Sequence, residues 1–145
     1  MENNVGSRIK MFSFTLDCID AAKSAKFYAA LLDWKDDSDG DYAWAYPPGG
    51  HQGSYPFILF QSNPDYIPPV WPEAPEAPDA QQQMAHLDFA VDNLENTVKH
   101  ALSCGARLAE TQYSDQHRVM LDPDGHPFCL CLLNFVFDSE HYALL

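Results

Sequence analysis

Hydrophobic and polar residues alternate along this chain in short runs, and two of those runs open the same plan. In residues 11–17, Phe12, Phe14 and Leu16 fall on one side and Ser13, Thr15 and Asp17 on the other. That is the period-two signature of a half-buried strand. Asp20 is a suitable N-cap for a helix over residues 21–32. There Ala22, Ala25, Ala29 and Leu32 recur at helical spacing beside Phe27, Tyr28 and Leu31. The polar stretch 36–41 predicts a turn. Residues 41–46 alternate again, with Tyr42, Trp44 and Tyr46 on one face, until Pro47, Pro48, Gly49 and Gly50 stop the run. Residues 55–61 predict a further strand.

Residues 63–83 differ in kind. Six of the 11 prolines lie there (Pro64, Pro68, Pro69, Pro72, Pro75 and Pro78), so the segment is neither helix nor central strand and reads as a stiff connector. Beyond it the plan repeats. Residues 86–91 place Leu87, Phe89 and Val91 on one face and His86, Asp88 and Ala90 on the other. Asn93 caps a helix whose buried stripe is Leu94, Val98, Ala101 and Leu102, and Gly105 suits its C′ position. Strands are predicted at 107–112, at 117–121 and, after the turn Asp122-Pro123-Asp124-Gly125, at 127–133. At an offset of 73 residues Ser13 aligns with His86 and the cap Asp20 with the cap Asn93. Residues 55–57 resemble 126–128 at an offset of 71. Two copies of strand–helix–strands joined by a proline-rich connector is therefore the expected organisation. Module one spans about 10–62, the connector about 63–83 and module two about 84–134, all within a single domain of 145 residues.

Charge narrows the partners. With 8 basic and 21 acidic residues the net charge is −13, which disfavours nucleic acid and anionic membrane surfaces and suits a cationic ligand. No apolar run approaches the ~20 residues of a membrane span. The first ten residues lack the apolar segment of a secretory signal. Cys18, Cys104, Cys129 and Cys131 form no CxxC pair, so free thiols in a reducing, cytoplasmic setting are expected.

Several side chains carry candidate chemistry. His86 and Asp88 share a strand face. His86 is either a ligand, base or hydrogen-bond donor toward a bound molecule, or a buried histidine satisfied by Asp88; as a pair they also suit acid–base work. Cys129 and Cys131 share a face and read as small apolar fillers. Tyr42, Trp44 and Tyr46 read as core or interface. Trp71, a large aromatic on the connector, is placed to pack over a groove. His126 belongs to the turn, and His51, His100, His117 and His141 carry no spacing that signals a site.

The run His86-Leu87-Asp88-Phe89-Ala90-Val91-Asp92-Asn93-Leu94, together with residues 122–130 (DPDGHPFCL) and residues 25–34 (AKFYAALLDW), resembles the vicinal oxygen chelate superfamily, also called the glyoxalase/bleomycin-resistance/dioxygenase superfamily. Asp33 stands where that pattern usually has glycine. The resemblance covers about residues 10–134. It implies an α+β fold of two βαβββ modules forming a cleft, a homodimer, and a small-molecule ligand. An enzyme of this kind would be lyase- or dioxygenase-like and hold a divalent metal with residues from the first and last strands of each module. Those positions fall on Ser13, Gln61, His86 and Cys129, with Ile58 as the alternative to Gln61 in the first module. The set has one histidine and no carboxylate, whereas hard and borderline divalent ions favour oxygen and imidazole. His86 and Gln61 would be the only conventional ligands. The expectation is therefore a degraded or absent metal site. Two functions follow: a glyoxalase-like enzyme using His86 and Asp88, with Ser13, Gln61, Trp71 and Cys129 against the ligand, or a metal-free protein that sequesters a cationic antibiotic or toxin.

Overall fold

The computed structural model describes residues 9, 11–49, 56–72 and 81–133. The readings made at residues 1–8, at His51 and His141, and over the tail lie outside them. The chain divides into two compact units, Met1–Pro64 and Asp65–Leu145.

The first unit runs β1 (Ser13–Cys18), α1 (Ala21–Leu32), β2 (Lys35–Asp39), β3 (Tyr42–Tyr46) and β4 (Phe57–Ser62). Its sheet has the order β1-β4-β3-β2, with β1 and β4 parallel and the other pairs antiparallel. The second unit repeats this with β5 (Leu87–Val91), α2 (Leu94–Cys104), β6 (Arg107–Leu108), β7 (His117–Leu121) and β8 (Pro127–Leu132), in the order β5-β8-β7-β6. Each unit is thus one βαβββ module, and the fold is α+β.

Local chemistry fixes both helices. Asp20 and Asn93 are extended residues at nearly the same backbone angles, and their side chains accept from Lys23 N and Asn96 N, satisfying donors that a first turn leaves open. Both helices end in a left-handed residue, Gly105 at φ 112° and Asp33 at φ 55°. Asp33 is the one described non-glycine residue with positive φ. In the first unit α1 packs Ala21, Ala25 and Ala29 close to the sheet, where Ala43 and Ala45 are fully covered. Tyr28 stacks on Phe60 at 5.4 Å. The second core holds Met120, Phe128 and Leu130, with Phe89 tilted against Phe128 at 5.9 Å.

Several expectations are corrected. Lys35–Asp39 is a strand, not a turn: β2 is an edge strand whose side chains are mostly exposed. Pairing with β3 satisfies its backbone, and only Gly40 and Asp41 turn the chain. The strand predicted over 107–112 stops at Leu108, because the Gln112 side chain takes over the pairing. Its amide donates to Ala109 O and Val119 O and accepts from Val119 N. Leu102 is 45% exposed and lies off the buried stripe of α2. Of the core-or-interface expectation for Tyr42, Trp44 and Tyr46, the core half fails: they alternate with the covered Ala43 and Ala45, and so sit on the face away from α1.

A left-handed residue with a Cβ costs free energy that glycine avoids, less for aspartate than for a branched residue. Asp33→Gly is therefore expected to raise the unfolding free energy by ~0.5 kcal/mol and Asp33→Val to lower it by ~1 kcal/mol. Urea midpoints in the order Gly, Asp, Val check this; a midpoint for the glycine variant below that of the parent contradicts it.

Candidate functional site

The second unit gathers most of the candidate side chains on one sheet face. Asp88 pairs with Cys129, Ala90 with Cys131, Val119 with Cys129 and His117 with Cys131. Paired residues point to the same side, so these groups share the face opposite α2, while Leu87, Phe89, Phe128 and Leu130 turn toward the helix. Ala109, Val119, Cys129 and Cys131 form a small buried apolar floor there, and Trp71 packs against it.

Trp71 comes from the proline-rich segment, and that segment is fastened. Val70 N donates to Gln81 O, and Val70 bridges Gln82. The Tyr66 hydroxyl donates to Asp124 O at 2.6 Å, and its ring lies 5.3 Å from His126. The turn that receives it is held by the buried Asp122, whose Oδ1 accepts from Asp124 N and His126 N. Gly125 is required twice. It has φ 87°, and a Cβ there would stand 3.0 Å from Cβ of Pro68. His126 thus serves the turn, as expected.

On the floor Trp71 meets two other rings. It stacks on His86 at 5.0 Å and 19° and on Tyr113 at 5.9 Å and 23°, both within the usual range for attractive aromatic pairs. His86 is tied at both nitrogens: Nδ1 lies 3.2 Å from Gln83 Oε1 and Nε2 lies 3.2 Å from Asp88 Oδ1. Only a doubly protonated ring donates to both oxygens; with a neutral ring the Gln83 amide turns its NH2 toward the imidazole. The Asp88 side chain is 61% exposed, so the pair orients the imidazole more than it stabilises the fold. Trp71, His86, Asp88, Tyr113, His117, Cys129 and Cys131 together line an open cavity of about 420 Å³, within the size range of small-molecule sites.

Burial, aided by the Asp88 charge and then by Cys131, pushes the Cys129 thiol from 9.0 up to about 12, and its hydrogen bond to Asp88 adds to this. Burial and Asp88 push Cys131 up to about 11. Both therefore remain thiols at neutral pH and are poor nucleophiles.

His86, Asp88 and Cys129 place one imidazole nitrogen, one carboxylate oxygen and one sulfur within 4.8 Å of one another. As a home for the hard or borderline divalent ion implied by the fold family the set is poor. It offers a single histidine whose Nε2 already faces Asp88, and a thiol that must give up a strongly held proton. The other two positions belong to the first unit. Ser13 pairs with Phe57, whereas Gln61 pairs with Asp17 at the far end of the β1–β4 ladder and is exposed. Ile58, the alternative to Gln61, is buried and turned toward α1, as its pairing with Phe14 requires. Tyr113, His117 and Gln83 are the residues of this cavity and its surround that sequence reasoning missed. Only His117 left a usable signal, by alternation with Val119.

Residues 13–131 match the model of the glyoxalase-like domain. The chain belongs to that family, and with it to the vicinal oxygen chelate superfamily. Among curated proteins there is no match. A glyoxalase/bleomycin resistance protein/dioxygenase family enzyme from Burkholderia phytofirmans is 16% identical and has a TM-score of 0.56, over 83% of this chain and 95% of its own. The trypanothione-dependent glyoxalase I of Leishmania major is 14% identical with a TM-score of 0.59, over 92% and 94%. TnmS3, an antibiotic binding protein from a Streptomyces species, is 13% identical with a TM-score of 0.54, over 87% and 97%. At such identities the likeness is one of fold. Among the described residues no helix is long and apolar enough to cross a membrane.

The raised thiols carry a prediction. Their protonation favours the folded state below about pH 9, and that contribution is lost as pH rises toward 11–12. At pH 8 the folded glyoxalase-like chain should alkylate at Cys104 while Cys129 and Cys131 stay unmodified until the chain is unfolded. Peptide mass mapping after iodoacetamide checks this, and early modification of Cys129 contradicts it.

Proposed function

We propose that this glyoxalase-like protein is a small-molecule binding protein of the cytoplasm that works without a metal and sequesters a cationic ligand, as a homodimer. The observation that carries the reading is the cavity on the second sheet. Its aromatic rings, Trp71 and Tyr113, surround a few polar groups: His86, Asp88 and His117. That is the composition of a recognition site, in which apolar walls supply affinity and a few polar groups fix orientation. Catalysis by enolate stabilisation would need a Lewis acid, and the donor set suits one poorly. Acyl or group transfer through Cys129 would need a thiolate, which burial and Asp88 oppose.

The sign of the charge supports a cationic ligand. The chain carries −13, which concentrates cations near its surface. Asp88 offers an exposed carboxylate at the cavity, and indole and phenol faces attract cations. One protein of the same fold, TnmS3, is described as antibiotic binding, which makes sequestration a natural role for such a cavity. Buried Cys129 and Cys131, both free thiols, support a reducing compartment.

Two titrations on one preparation test the reading. Ni²⁺, Zn²⁺, Mn²⁺ and Fe²⁺ at pH 7 are expected to bind without stoichiometry, while aromatic amines and cationic antibiotics raise the melting temperature. His86→Ala and Tyr113→Ala should each weaken that ligand binding about tenfold, the loss of one ring contact with its buried area. Tight one-to-one metal binding abolished by His86→Ala would sink the proposal in favour of a metalloenzyme.

A further inference from the structure

One wall of the cavity on the second sheet is a flat aromatic group that belongs to the protein, Trp71. The Trp71 indole stacks on His86 and on Tyr113 and rests on the floor made by Ala109, Val119, Cys129 and Cys131. Among the described residues no hydrogen bond holds the indole ring. The fastenings of the segment lie beside it, at Tyr66 and Val70. Among the described residues the ring is therefore kept in place by stacking and apolar contact, and displacing it breaks no hydrogen bond.

We propose that Trp71 is an internal stand-in for the ligand. It occupies the aromatic subsite of the cavity, and a flat fused-ring aromatic of indole size, bearing a cationic group, binds by displacing it. This rests on the reading of the cavity as a small-molecule site and names the class of molecule. The entering ring inherits the two stacking partners and the apolar floor, so the exchange is nearly even in those contacts. The surplus comes from what Trp71 lacks. The Asp88 carboxylate and the His86 and His117 rings line the same cavity, and a cationic substituent on the ligand reaches a carboxylate that the indole leaves unused. Occupation by Trp71 also gives selectivity. A molecule that offers a ring and nothing more competes with an indole that is always present at high effective concentration, and it loses.

Trp71→Ala tests this with free indole and tryptamine as probes. Millimolar indole should raise the melting temperature of the variant by several degrees and leave the parent unchanged. Tryptamine should bind the variant at least threefold more tightly than indole-3-propionate, and Asp88→Asn should erase that difference. If Trp71→Ala does not fold, Trp71→Leu keeps the floor covered while vacating the space of the second ring, and the same shifts are expected. No response of the folded variant to indole overturns the proposal, and so does an equal response of the parent. Equal binding of tryptamine and indole-3-propionate overturns the cationic class. If the variant ignores indole while cationic aromatic compounds still stabilise the parent, Trp71 is a fixed wall and the binding function stands. If neither responds, both readings fall.

Discussion

The parallel pairing of β5 with β8 is the constraint on which the second unit depends. Its register sets Asp88 beside Cys129 and Ala90 beside Cys131. Because side chains alternate across a sheet, one choice of register decides two surfaces at once. Phe128 and Leu130 go to the helix side and enter the core, and the thiols go to the other side as the floor of the cavity. A slip of one residue would bury Asp88 under α2 and expose Phe128, so the apolar core and the chemistry of the site are specified together. The turn before β8 is built to hold that register. Buried Asp122 ties down two backbone donors, and Gly125 leaves room for Pro68. The same turn thereby anchors the segment that delivers Trp71.

Placed on this frame, the thiols of the site are poorly suited to nucleophilic chemistry. A thiol becomes a nucleophile or a metal ligand when a nearby cation lowers its pKa. Here the nearest charge is Asp88 and the surroundings are apolar, so both influences act the other way. His86 is held at both nitrogens and across its face, which fixes it as a wall with defined polarity. Membership of the glyoxalase-like family gives the scaffold, and the donor set of His86, Asp88 and Cys129 is a poor one for a hard or borderline divalent ion.

Much of the fold was legible because local and global signals agree. Asp20 and Asn93 announce helix starts, Gly105 a helix end, and the alternation around Phe89 and Phe128 shows which faces are covered. The failures have particular causes. β2 is a polar edge strand, so nothing in residues 35–39 alternates, and its only sign is the Asp-Gly turn at 39–40. The strand after α2 is short because a side chain, Gln112, does the pairing that backbone was expected to do. In the site, His86, Asp88 and Trp71 could be singled out by face and by residue type. Tyr113 and Gln83 could not, since they come from irregular segments whose position depends on long-range packing. The relation of Gln61 to Ser13 needed the β1–β4 register, which no pattern in a single sequence reports.

Under the proposed function a small molecule binds in the cavity framed by Trp71, His86 and Tyr113. The chain has three tryptophans, Trp34, Trp44 and Trp71, and so three indole N–H signals. Following those signals by two-dimensional NMR while titrating a set of cationic aromatic compounds gives the most direct reading. The expected result is a saturable shift of the Trp71 signal with those of Trp34 and Trp44 left in place. Saturable binding that leaves the Trp71 signal unmoved would contradict the account.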